Sequence, residues 1–182
     1  MQLLSFVRLG AAAFALSGAL NILADFMPVE ATRVMNLAGV MLGIIGLPAL
    51  YVHSHRVTGV AALVGLAVAL AGFVGIAGLL FVQAFVFPAL DPAAVADLTA
   101  GGAGVAIFAA VILYVAGVLV LVVALWRGGA VPRPALALWG LGTAPTLAAI
   151  ALPAVVMTVA EIVASLGVIW IAAAMWQSSG ED

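Results

Sequence analysis

Six stretches of nearly unbroken apolar residues, separated by short polar or proline-containing punctuation, set the layout of this chain. A helix needs about 20 mostly apolar residues to cross a hydrocarbon core of roughly 30 Å. On that measure spans are predicted over residues 9–26, 34–52, 57–87, 105–126, 134–152 and 154–176. Pro28 follows the first, Pro48 falls near the end of the second and Pro88 stops the third. The third is long enough to tilt or to project beyond the bilayer. The fifth opens near Pro134, a favourable first-turn position, and Pro145 predicts a kink before it ends ahead of Pro153. Between the third and fourth spans, Asp91-Pro92 predicts a short surface helix over 93–100, with Asp91 as its N-cap and Pro92 in its first turn. The cluster Gly101, Gly102 and Gly104 then hinges into the fourth span.

The few polar residues inside these runs are not scattered. Ser17, Asn21 and Asp25 stand four apart, which places them in one stripe on the first helix. Thr158, Glu161 and Ser165 make a similar stripe on the sixth, Thr143 and Thr146 share a face of the fifth, and Asn36 and Gln83 lie toward the outer ends of the second and third. If these faces converge, they form a polar cavity biased to the outer half of the membrane, with Glu161 as its floor. Glu161 is the only ionisable side chain in its span. An acidic side chain at the centre of a membrane helix costs on the order of 3 kcal/mol, so it is expected to face the protein interior. Arg33 is the only arginine on the predicted outer side and is therefore the candidate counter-ion for Glu161 or Asp25. A plainer reading stands beside this one. Small polar residues in membrane helices commonly bond a backbone carbonyl or a neighbouring helix, at about 0.6 kcal/mol each, and Asp25 also reads as simply interfacial.

Composition turns apolar runs into a membrane assignment. The 182 residues are 68% hydrophobic and 7% charged, far from a soluble balance, and mean hydropathy is +1.40. The expected fold is all-α, a polytopic bundle of six transmembrane helices forming a single transmembrane domain over residues 1–182, with no stretch left for a separate soluble domain. Arg8, Arg56, Arg127 and Arg133 fall on one side of that topology and Arg33 on the other, which predicts cytoplasmic termini. Trp126 and Trp176 then sit at the inner interface as amphipathic anchors. Arg8 ahead of an apolar stretch also fits a signal peptide, but Asn21 within that stretch and the charge pairing of six helices favour a span. The use of arginine without lysine fits a GC-rich bacterial genome, and so a bacterial plasma (inner) membrane.

Several chemistries are excluded by absence from the sequence. With no cysteine there can be no disulfide, thiol nucleophile or iron–sulfur cluster, and with no lysine there can be no Schiff base. No histidine falls within a predicted span, so a bis-histidine haem has no ligands. His53-Ser54-His55 reads as a solvated inner loop and not as a metal site, because helical spacing would point the two rings to different faces. No intramembrane serine–histidine or paired-aspartate set is present, so neither an enzyme, a cofactor nor a metal is expected. The net charge of −2 gives no reason to expect nucleic acid. Gly39 with Gly43, and Gly72, Gly75 and Gly78, predict close helix packing inside the bundle, with a homo-oligomer seam as the sharper alternative.

The segments Gly-Leu-Pro-Ala-Leu-Tyr at 46–51 and Gln-Ala-Phe-Val-Phe-Pro-Ala-Leu at 83–90, with Arg8-Leu9-Gly10 and the turn at Pro28, resemble small six-helix bacterial integral membrane proteins of uncharacterised activity. The resemblance covers the first half of the chain. It implies a six-helix bundle and carries no functional residue. The functional expectation is a non-enzymatic membrane protein, either an accessory subunit of a larger complex or a binder of a lipid-like or small apolar ligand. The site residues are Glu161, Asn21, Asp25, Arg33, Asn36, Gln83, Thr158 and Ser165. The rival is a compact proton-coupled transporter working through Glu161.

Overall fold

The computed structural model describes residues 2–149 and 151–178. The chain is 91% helical, with no strand among the described residues. Helix α1 (Gln2–Ala24) is followed by α2 (Val29–Phe81), α3 (Pro92–Ala100), α4 (Gly102–Gly128), α5 (Arg133–Thr143) and α6 (Ala154–Ser178). Four of these, α1, α2, α4 and α6, are long and apolar enough to cross a membrane. The chain is therefore built as a membrane protein. Its surface agrees: Leu9, Val60, Val74, Val105 and Val155 are each more than 60% exposed, an apolar belt that water would penalise and hydrocarbon would not.

Helix α2 replaces the second and third predicted spans and the loop between them. Residues 53–56, expected as a loop, are helical, and the break comes later, at Gly59 (φ 61°, ψ −154°). Only glycine occupies that region without strain. In the turn before it, Ser54 Oγ donates to Leu50 O (2.8 Å) and Thr58 Oγ1 to Ser54 O (3.0 Å), a back-bonding pattern that bends helices. The two arms of α2 fold back on each other: Gly43 lies against the Phe73 ring, and Arg33 Nη1 donates to Gln83 O (3.1 Å). These pairs are nearly symmetric about Gly59, as an antiparallel hairpin requires. Beyond Phe81 the chain continues as a π-helical turn, Val82–Val86, and a short 3-10 turn, Phe87–Ala89, before Asp91.

The remaining contacts close a ring. Phe14 of α1 packs on Gly46, and Ser17 Oγ donates to Gly39 O (2.6 Å), so α1 runs antiparallel to the first arm of α2. The second arm runs antiparallel to α4, with Gly72 against the Tyr114 main chain and Gly117 against that of Ala69. Helix α6 returns along α1, with Gly18 at Ser165 and the Arg8 guanidinium 6.0 Å from the Trp176 ring centroid. Helix α5 packs on α6 through Gly142 at Ala164 and Trp139 at Gly167. Pro145 ends α5 early, and residues Ala144–Ala148 tighten into a 3-10 turn. The fifth predicted span is thus a short helix, and Ile150 within it lies outside the described residues.

The predicted surface helix is present as α3. Asp91 Oδ1 accepts from Ala93 N (2.8 Å), the N-cap geometry expected of Asp-Pro. Thr32 Oγ1 donates to Ala24 O (2.8 Å) and ties the α1–α2 turn.

Candidate functional site

Each segment of the ring turns residues toward a common interior, and there a cavity of about 270 Å³ remains. It lies toward the end of the bundle that carries the α1–α2 turn and the α5–α6 connection. Helix α1 supplies Phe14, Ser17 and Asn21, and the first arm of α2 supplies Asn36 and Val40. Phe73 comes from the second arm and Tyr114 from α4. The α5 segment adds Trp139, Thr143 and Thr146, while α6 adds Met157, Glu161 and Ser165. Two edge-to-face ring pairs stiffen the wall. Phe14 and Trp139 stand with centroids 5.7 Å apart at 86°, and Phe73 and Tyr114 stand 4.9 Å apart at 80°.

Two of the wall hydroxyls spend their protons on main-chain carbonyls. Ser17 bonds the Gly39 carbonyl across the helix interface, and Thr143 Oγ1 donates to Trp139 O (2.8 Å) one turn back. The Tyr114 hydroxyl meets that of Thr143. Asn36 Oδ1 is buried with no hydrogen-bond partner. Glu161 is the only charged side chain among the described lining residues, and among the described residues nothing donates a hydrogen bond to it. The cavity is therefore apolar and aromatic over most of its wall, with acceptors (Glu161, Asn36 Oδ1) and donors (the Asn21 and Asn36 amides, the Thr146 and Ser165 hydroxyls) that bond to no described residue.

The expected site residues divide. Asn21, Asn36, Glu161 and Ser165 line the cavity together, as do Ser17, Thr143 and Thr146. Asp25, Arg33, Gln83 and Thr158 do not line it. Arg33 makes no ion pair with Glu161 or Asp25. Its guanidinium reaches the Gln83 carbonyl instead, because the α2 hairpin sets those two positions side by side. Gln83 thus contributes a main-chain acceptor to the closure of the hairpin. Asp25 stands in the turn after α1, outside that helix, with Oδ2 buried and unpartnered, and burial holds its carboxyl above the ordinary carboxylate range. It is near enough to Glu161 for the two charges to oppose each other. Thr158 is half-buried on α6, off the cavity.

The pattern of polar residues along the chain carries no sign of the aromatic wall. Tyr114 left a usable signal, as a lone phenol in an otherwise apolar helix. Phe14, Phe73 and Trp139 left none, since aromatic residues are ordinary in such helices. At the opposite end, His53 is half-buried and His55 exposed, and no group of three or more histidine or carboxylate side chains able to hold a metal is present among the described residues.

No protein-family model, curated protein or solved structure matches the chain.

Proposed function

We propose that the chain is a six-crossing, non-enzymatic membrane protein that binds a small, largely apolar ligand in the cavity between its helices. The two arms of α2 and the α5 segment count as separate crossings in this reading. It puts both termini in the cytoplasm and the cavity in the outer half of a bacterial plasma membrane. The observation that carries it is the cavity itself. A dry apolar cavity of about 150 Å³ suffices for benzene, so about 270 Å³ with four aromatic rings on its wall suits a one-ring molecule with a short tail. The test uses protein in lipid nanodiscs. Toluene should bind saturably above its partition into empty discs, and Thr146→Phe, which fills part of the space, should remove that binding. Toluene that only partitions, equally with and without protein, would end this reading.

A second reading is a compact proton-coupled carrier. One observation favours it: Glu161 faces the cavity with no hydrogen bond from any described residue. An ionisable group at membrane depth that is not tied down is suited to taking up and releasing a proton. Proteoliposomes loaded with a pH-sensitive dye separate the two readings. A carrier moves protons along with the ligand in the wild type but not in Glu161→Gln, whereas a binder leaves the dye silent in both.

A further inference from the structure

We propose that the ligand of this cavity is an organic cation, a protonated amine on a one-ring apolar body, with its ammonium on Glu161. The inference deepens the small-ligand reading and rests on it.

Three observations carry it. The first is a pair of acceptors that the protein leaves without a donor. Ser17 and Thr143 spend their hydroxyl protons on carbonyls, and Tyr114 meets Thr143, while the Glu161 carboxylate and the buried Asn36 Oδ1 receive nothing. A buried acceptor without a partner costs free energy, so these two groups favour a guest that brings N–H donors to them. An ammonium brings up to three. The second is charge. Glu161 is the only charged group among the described lining residues, and Arg33, its expected counter-ion, is held at Gln83. An anionic guest would meet repulsion there, and a neutral one would leave the carboxylate unpaired. The third is the wall. Trp139, Tyr114, Phe14 and Phe73 surround the space with ring systems, which attract cations and at the same time bury an apolar body. A bare metal cation would gain little here, because most of the wall offers it no oxygen.

A body of about one ring and a two-carbon arm matches the cavity volume of about 270 Å³. Phenethylamine, which is protonated at neutral pH, and 2-phenylethanol, its neutral counterpart of nearly equal shape, form the test pair. Equilibrium dialysis of the nanodisc protein, with empty discs subtracted, should give tenfold or tighter binding of the amine. In Glu161→Gln, judged folded by its circular dichroism and monodisperse migration, the two compounds should bind alike. The wild-type comparison alone already decides, should the variant fail to fold. Equal affinity for amine and alcohol would overturn the cation assignment and leave the small-ligand reading in place. Displacement of the amine by equimolar methylammonium or sodium would also overturn it, by showing that the apolar body adds nothing. Binding of toluene without binding of the amine would do the same. If neither toluene nor the amine binds, the cation assignment falls together with the reading beneath it.

Discussion

Two carboxylates near one end of the bundle differ in what surrounds them. Glu161 faces a cavity, where a guest can compensate its charge. Asp25 sits in a turn with Oδ2 buried and without a hydrogen-bond partner. Its pKa is raised on folding, so the folded state prefers the neutral acid. Stability from this group is therefore fully present below the ordinary carboxylate range and is lost as pH rises through the raised value. Asp25→Asn supplies a permanently neutral isostere. It should raise the melting temperature in detergent at pH 7, with the gain shrinking as the pH falls toward 4. A thermal-unfolding series over pH 4 to 8 checks both the sign and the convergence. Neutralising Asp25 also removes a charge that opposes Glu161, which acts in the same direction.

Among the elements, α2 and its glycines carry most of the architecture. Gly59 adopts a backbone conformation closed to other residues, yet a Cβ there would meet nothing within 4 Å. Gly59→Ala is thus a test of backbone strain with sterics removed. It should cost about 1–3 kcal/mol, read as a lowered unfolding midpoint in sodium dodecyl sulfate titration. Close approach is a different demand on glycine, and Gly72 and Gly78 separate it on one helix arm. A Cβ on Gly72 would enter the Tyr114 main chain, whereas one on Gly78 would stand in open space. Gly72→Ala should therefore destabilise by about 1–3 kcal/mol through overpacking of α2 on α4. Gly78→Ala, in the same titration, should be neutral or slightly stabilising, since alanine is the better helix former. The GxxxG pair is also used inside the bundle, with Gly39 against Asn21 and Gly43 against Phe73. That is the plainer of its two sequence readings.

At the scale of the whole molecule, the ring places the α1–α2 turn, α3 and the α5–α6 connection at one end, and the Gly59 hinge with the α1 and α6 tails at the other. The proposed topology puts the first end outside the cell. The absence of cysteine makes this directly measurable. Single cysteines at the exposed positions Phe26, Ala94 and Ala151 should react with a membrane-impermeant maleimide on intact cells. Cysteines at His55 and Gln177 should react only after permeabilisation. Labelling of His55 and Phe26 from the same side would contradict six crossings.

The helical membrane class, the Asp91 cap, the position of the proline breaks and the shared face of Ser17 with Asn21 were legible in the sequence itself. Each depends on hydropathy or on neighbours within a turn or two, and such information is local. The convergence of Asn21, Asn36, Thr143 and Glu161 could be expected from depth alone, because hydrocarbon leaves polar groups few places to go. The tertiary structure alone decided where the chain reverses in α2, that Arg33 bonds Gln83 and not a carboxylate, and that four aromatic rings complete the cavity wall. Those outcomes depend on which helix faces which. That choice is made by close backbone contacts such as Gly72 with Tyr114, between residues far apart in the chain, and no local pattern records the partner.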